Sequence, residues 1–219
     1  MSYISKSQVS PGIWIYKGSI KESIINDVED FIARYPNDAD WTEALVGYAA
    51  KAPKEYRDCL DFKIQAWPQE HVAGNPFLEE RNALWQKAHD MQIDAVEDYC
   101  RMYNIKMDYW EAMNFVKYGP EQHFAEHADH GFSYVATVSI VSYPNEGYTG
   151  GELYFPKLDI TIKPEAGDQV IFPSTYLFSH KSMPVIEGTK YSIVTMLDYN
   201  DNSHSREHAE HVAKANSNV

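Results

Sequence analysis

Cysteine is nearly absent: Cys59 and Cys100 are the two in a chain of 219 residues. A small secreted fold stapled by disulfides carries more, at closer spacing, so that class is excluded. Two buried free thiols in a reducing compartment are expected instead. Long apolar runs are also missing. No stretch approaches the ~18 residues of a membrane span. The opening segment, MSYISKSQVSPGIWIYKGS, lacks the basic and apolar regions of a signal peptide. A cytoplasmic protein without membrane contact is expected. Positive charge is in deficit, with 19 Lys plus Arg against 32 Asp plus Glu and a formal net charge of −13. A nucleic-acid surface needs concentrated Lys and Arg, so no nucleic-acid partner is expected.

The content that is present is ordinary for a folded protein. Hydrophobic residues make up 44% and aromatics 14%, enough apolar surface to offset the entropy of ordering. At roughly 100–200 residues per domain the length allows one large domain or two small ones. No repeat and no low-complexity linker divides the chain, so one domain spanning 1–219 is expected.

Its two halves differ in period. Gly12–Tyr16 reads as a short strand. Lys21–Tyr35 reads as a helix with Ile24, Ile25, Val28, Phe31 and Ile32 at helical spacing. Residues 41–76 are ambiguous, punctuated by Pro53 and Pro68. Leu78–Arg101 holds the longest helical pattern, with Leu84, Ala88, Met91, Ala95 and Tyr99 forming a stripe that should pack on a sheet. After Asp108 the pattern turns to strands rich in Val, Ile, Thr and Tyr. These are Ala112–Tyr118, Tyr134–Tyr143, Gly151–Phe155, Asp159–Lys163, Gln169–Phe172 and Lys190–Asp198. Gly- and Pro-bearing turns separate them. Many short strands at such spacing indicate a mostly β core with α support, a jelly roll covered by N-terminal helices. The division is then 1–111 as helix-rich support, 112–199 as the jelly-roll core and 200–219 as a polar tail.

Nine histidines occur, and His123, His127 and His130 crowd one segment, QHFAEHADHGF. Two motifs overlap there. The first is H-x-D, His127 and Asp129. On extended backbone residues i and i+2 share a face, so the pair can bind one metal ion. With a second histidine far downstream it forms a two-histidine, one-carboxylate triad, leaving open positions on Fe(II). The second motif is H-x-x-E-H, His123, Glu126 and His127, an inverted zinc-peptidase signature. That chemistry needs a helix to align both histidines. Gly119-Pro120 before the segment and strands after it argue against one, which leaves His123 exposed or behind the ligands.

Longer-range order separates the two. From Tyr118 the chain reads YGPEQHFAEHAD, YVATVSIVSY, GYTGGELYFP, IKPEAGDQVIFPS and HKSMPVIEGTKYSIVTML. This order resembles the Fe(II)- and 2-oxoglutarate-dependent dioxygenases, and within them the prolyl 4-hydroxylase-like group. The resemblance covers about residues 112–199. It implies a double-stranded β-helix, in agreement with the jelly roll read from strand pattern. It makes His127, Asp129 and His180 the iron ligands. Lys190, ten residues after His180, matches the basic partner of the distal carboxylate of 2-oxoglutarate, and Tyr118 matches a phenol on the same carboxylate. The implied activity is hydroxylation of a C–H bond, most simply of a prolyl residue in a peptide or protein, with O2 consumed and succinate and CO2 released. Ascorbate is the expected stimulant.

Charge balance supports these roles independently of the family. Two positive charges on iron, one negative on Asp129 and two on the cosubstrate leave a net negative charge, and Lys190 neutralises it. Strand alternation places Lys190, Ser192, Val194 and Met196 on one face, towards the barrel interior. Two positions depart from the resemblance: Tyr134 stands where an Arg is common, and Met196 where a Trp is common. Both family positions touch peptide, so a long polyproline substrate is not implied. Residues 49–58 and 66–77 are candidate lids. Alternatives are the same chemistry on a free amino acid or other small molecule, a zinc metallopeptidase built on His123, Glu126 and His127, and a non-catalytic metal-binding jelly roll.

Overall fold

A computed structural model describes residues 3–46, 50–131 and 135–204. Two antiparallel sheets face one another. The larger has nine strands, running Ser5–Ser10, Ile13–Lys17, Gln169–Pro173, Val138–Ser142, Lys190–Asp198, Met113–Tyr118, Leu60–Ile64 and Thr42–Glu43, with Tyr109–Trp110 also paired to Lys190–Asp198. The smaller runs Ile160–Ile162, Leu153–Phe155, His180–Ser182, His123–His127 and Arg57–Asp58. Strands distant in sequence sit side by side in both sheets, which is the jelly-roll arrangement.

The two faces of the larger sheet do different jobs because side chains alternate. In Lys190–Asp198, Ile193 packs against Ile24, Val28 and Phe31 of the Ser23–Arg34 helix. Thr195 donates to the Gln92 Oε1 of the Pro76–Tyr103 helix at 3.0 Å. Leu197 packs with Ala95, Val96 and Tyr99 of that helix. The helices thus cover the outer face, and the other face, with Lys190, Ser192, Val194 and Met196, is left to the interior between the sheets. Val141, Tyr143, Leu153, Phe155, Ile162, Val170 and Phe172 fill that interior away from the mouth.

Local chemistry sets the helix limits. The long helix begins two residues before the expected Leu78, because Asn75 caps it by accepting from the Leu78 N–H at 3.3 Å and Pro76 opens it. It closes on Asn104 in the left-handed region, φ 52°. Both Cys59 and Cys100 are free thiols, but Cys100 is only half-buried. Among the described residues no helix is long and apolar enough to cross a membrane.

Several strands differ from expectation. Ser5–Ser10 shows no apolar alternation, since it is an exposed edge, held by pairing with Ile13–Lys17 and by an ion pair from Lys6 to Asp98. The ambiguous 41–76 region supplies Leu60–Ile64 and Arg57–Asp58, which extend one sheet each. The expected lids are tied down where they are described. Arg57 pairs with Phe124, and Trp67 exchanges two hydrogen bonds with the Asn82 side chain of the long helix. The expected strand Tyr134–Tyr143 starts at Val138; Tyr134 lies outside the described residues, as does most of the polar tail.

Candidate active site

The segment that reads as H-x-x-E-H is a strand, His123–His127. That overturns the zinc-peptidase arrangement, which requires a helical turn to bring both rings together. The His123 ring nitrogens lie 3.1 Å from the Glu55 carbonyl and 3.3 Å from the Glu121 carbonyl. Glu126 faces outward, accepting from Ser179 Oγ at 2.6 Å and Lys157 Nζ at 2.9 Å. None of this forms a metal cluster.

The other three residues do converge. His127 ends its strand and pairs with His180, the first residue of the strand beside it. Asp129 follows two residues after His127. Ligand atoms of His127, Asp129 and His180 all lie within 4.8 Å of one another, and no other such group occurs among the described residues. His127 Nε2 is 3.5 Å from Asp129 Oδ1, and His180 Nε2 is 3.9 Å from Asp129 Oδ2. Each imidazole is oriented from behind: His127 Nδ1 lies 2.9 Å from the Ala125 carbonyl and His180 Nδ1 3.1 Å from the Phe178 carbonyl. A carbonyl only accepts, so Nδ1 carries the proton and both Nε2 lone pairs point to the centre.

Electrostatics prepare the same point. Burial pushes the His180 imidazole down to about 4, so its ring is neutral at physiological pH. Burial alone would raise the Asp129 carboxyl, but the neighbouring histidines hold it below the usual carboxylate range. Asp129 Oδ2 is buried with no hydrogen-bond partner. An orphaned anionic oxygen facing two imidazole lone pairs is a donor set suited to a divalent cation. The residues present therefore fit an iron ion.

Lys190 and Tyr118 stand opposite each other on neighbouring strands. Lys190 is 2% exposed. Its Nζ donates to Gly151 O and Ser182 Oγ, both at 2.7 Å, and makes no ion pair among the described residues. It lies 5.0 Å from the Tyr118 ring centroid. Burial drives the ammonium down to about 7, against the opposing charge of Glu152. A buried cation with a spare donor and no counter-ion is a site for an anion.

Residues 113–198 match the family described as "2OG-Fe(II) oxygenase superfamily". A protein of Acanthamoeba polyphaga mimivirus, described as "Putative prolyl 4-hydroxylase", is 26% identical over 200 residues, 80% of this chain and 81% of that one. Residues 113–198 thus carry the pattern of a 2OG-Fe(II) oxygenase, and the chain is similar to prolyl 4-hydroxylases. Solved structures share its fold. One is a Trichoplax adhaerens prolyl hydroxylase in complex with a hypoxia inducible factor peptide fragment, at TM-score 0.63 and 14% identity, covering 86% of this chain and 84% of that one. Another is a Pseudomonas putida prolyl-4-hydroxylase, at TM-score 0.60 and 17% identity, covering 85% and 92%. A third is the viral collagen prolyl hydroxylase of Paramecium bursaria Chlorella virus-1 with 2OG, at TM-score 0.53 and 20% identity, covering 87% and 98%. The matched family implies Fe(II) and 2-oxoglutarate.

Sequence reasoning passed over two residues of the pocket. Arg57 is nearly buried, paired with Asp61 at 2.8 Å, and lies 4.6 Å from the Phe124 ring centroid. Phe124 in turn stacks on His127 with centroids 3.6 Å apart. Arginine, phenylalanine and imidazole thus form one stack that limits where His127 can swing. Only the bidentate spacing to Asp61, four residues on, hinted at it.

Glu111 is the second. Its N–H donates to the Met196 carbonyl at 3.0 Å, and burial, opposed by Lys63 and reinforced by Asp129, pushes its carboxyl up to about 7. The folded state therefore binds more protons than the unfolded chain between pH 4.5 and 7. Its contribution to stability is complete below that window and lost as pH rises through it. Glu111→Gln should unfold later than the parent above pH 7, by on the order of 1–3 kcal/mol. Below about pH 5 the two should coincide. Denaturant melts at pH 5 and pH 8 check this, and a pH-independent difference would refute it.

Proposed function

We propose that this oxygenase hydroxylates a prolyl residue in a peptide or protein loop, with Fe(II) held by His127, Asp129 and His180. The distal carboxylate of 2-oxoglutarate is anchored by Lys190 and Tyr118. The observation that carries the reading is the pairing of an orphaned Asp129 oxygen between two oriented imidazoles with a buried, counter-ion-free Lys190 on the same interior. When bound, iron and the 2-oxo acid supply the power to oxidise a C–H bond with O2, the acid leaving as succinate and CO2.

The chain's own part is placement. Asp129 and the two Nε2 atoms would hold the ion with three donors, fewer than Fe(II) takes, so that the cosubstrate could bind it as well. Lys190 brings the buried charges to neutrality, which removes a penalty of several kcal/mol for an uncompensated ion. The interior behind the triad is apolar: Phe155 and Phe172 pack on the His180 ring at 5.7 and 4.8 Å between centroids. Exclusion of water there keeps the oxidising chemistry on the substrate.

The mouth gives the substrate reading. Met196 is half-buried on the barrel-facing side of its strand, beside Glu111, and we place it at the mouth. Met offers an adaptable apolar wall, which favours a short Pro-containing loop over a long, rigid polyproline helix. The acidic surface steers neutral or basic partners, less so at high salt.

The test is mass spectrometry of Pro-containing peptides after incubation with Fe(II), 2-oxoglutarate and ascorbate. The expected result is a gain of one oxygen atom on proline. In parallel, succinate release should rise with short Pro peptides above its level without substrate. Stimulation by free proline alone would move the enzyme to free amino acids. No response to peptide, polyproline or proline would remove proline as the target.

A further inference from the structure

The closed end of the pocket holds more polar groups than one ammonium and one phenol account for. Lys190 Nζ is flanked by the Tyr118 ring at 5.0 Å and the Tyr143 ring at 5.4 Å. Gly151, at φ +70°, lies against the same lysine: a Cβ there would meet Lys190 Cδ at 2.9 Å and Tyr148 Cε2 at 3.5 Å. Tyr148 also packs on the cluster that contains Tyr118 and Val185. Lys190, Tyr118, Tyr143 and Tyr148 therefore lie together in one cluster.

Two of these phenols are unpaired. The hydroxyls of Tyr143 and Tyr148 are both buried with no hydrogen-bond partner, and Tyr143 as a whole is 0% exposed. Asp168, the acid that bears on both, is already committed to Lys17 Nζ and the Glu165 N–H, and Glu152, which bears more on Tyr148, makes no hydrogen bond with its hydroxyl. Phenylalanine would fill the same volume without leaving a hydroxyl unsatisfied in the interior. Two orphaned donors beside a buried lysine with one donor to spare match an anion with several lone pairs. Burial keeps both phenols protonated, so both are able to donate.

We propose that Tyr143 and Tyr148 complete the anchor for the distal carboxylate of the 2-oxo acid, each donating a hydrogen bond beside Lys190. This rests on 2-oxoglutarate binding at Lys190, and the two claims separate experimentally. The full-length protein is loaded with Fe(II) under anaerobic conditions and titrated calorimetrically with 2-oxoglutarate and with 2-oxobutyrate, which lacks the distal carboxylate. Tyr143→Phe and Tyr148→Phe should each weaken 2-oxoglutarate binding about 10- to 100-fold, the loss of one hydrogen bond to a charged group. Binding of 2-oxobutyrate should stay within about twofold of the parent, because the lost bond has no counterpart there. Equal losses for both ligands would mark the phenols as structural and overturn the proposal. Unchanged 2-oxoglutarate affinity in both variants would also overturn it, with water satisfying the hydroxyls. A parent protein that binds no 2-oxoglutarate overturns the cosubstrate reading itself.

Discussion

Alanine at His180 or Asp129 should abolish stoichiometric metal binding while leaving the fold intact. Each supplies one of three ligand atoms that lie within 4.8 Å of one another. Loss of a mere outer hydrogen-bond partner of a metal ligand costs 10- to 100-fold in affinity, so loss of a ligand itself should cost about 10³-fold or more. The fold should survive because the core against the two helices lies elsewhere, and the core between the sheets loses only the imidazole that Phe155 and Phe172 flank. Asp129→Ala has a second signature. It removes a buried carboxylate that the neighbouring histidines hold in its charged form, so at neutral pH the metal-free variant should unfold earlier than the metal-free parent. Fe(II) or Co(II) titration against a chelator, with thermal melts, reads both effects. His123→Ala serves as the comparison and should bind metal as the parent does, since its ring is engaged with the Glu55 and Glu121 carbonyls. Wild-type metal affinity in His180→Ala would sink the assignment.

Much of this site was legible because its residues lie on long, regular strands. The strand Lys190–Asp198 has the limits its alternation predicts. Its interior face, Lys190, Ser192, Val194 and Met196, follows from period two alone. H-x-D at His127 and Asp129 needed only extended backbone, and the structure supplies it up to His127. What sequence spacing does not contain is which strands become neighbours. The pairing of Lys190 with Tyr118 joins positions 72 apart in number across the larger sheet, and only the resemblance placed them together.

Glu111 and the first half were illegible for different reasons. Leu197 pairs with Trp110 and Val194 with Asn114, so the 110–114 side carries one residue more than its partner. Glu111 falls in that irregularity, and an extra residue breaks the alternation that sequence reading relies on. The segments Thr42–Glu43, Leu45–Val46 and Arg57–Asp58 are two residues each, too short to display any period. Arg57 enters the pocket from one of them, held by Asp61 and Phe124 rather than by a pattern. The phenols of Tyr143 and Tyr148 read as ordinary aromatic core until their missing partners are seen.

Lys190→Met should make the ligand-free protein more stable and the enzyme nearly unable to hold its cosubstrate. The lysine is 2% exposed and without an ion-pair partner among the described residues. Burial lowers its ammonium from 10.5 to about 7. The unfolded chain therefore binds more protons than the folded one between pH 7 and 10.5, and stability rises with pH across that window. Below pH 7 the cost of burying the charge is complete. Methionine has similar length and no charge, so at pH 6 the variant should gain about 1–3 kcal/mol, less what Gly151 O and Ser182 Oγ lose with their donor. The gain should shrink towards pH 10, where the parent lysine is neutral as well. Affinity moves the other way. Removing one partner of a desolvated charge pair costs ~3–5 kcal/mol, which at 1.4 kcal/mol per decade weakens 2-oxoglutarate binding by about two to three orders of magnitude. Denaturant melts at pH 6 and pH 10, with anaerobic 2-oxoglutarate titration of the Fe(II) form, give both readings on one variant. A variant that melts earlier at pH 6 and binds 2-oxoglutarate as the parent does would show that Lys190 is packing and nothing more. Opposite movement of stability and affinity is what a cation buried for a ligand requires.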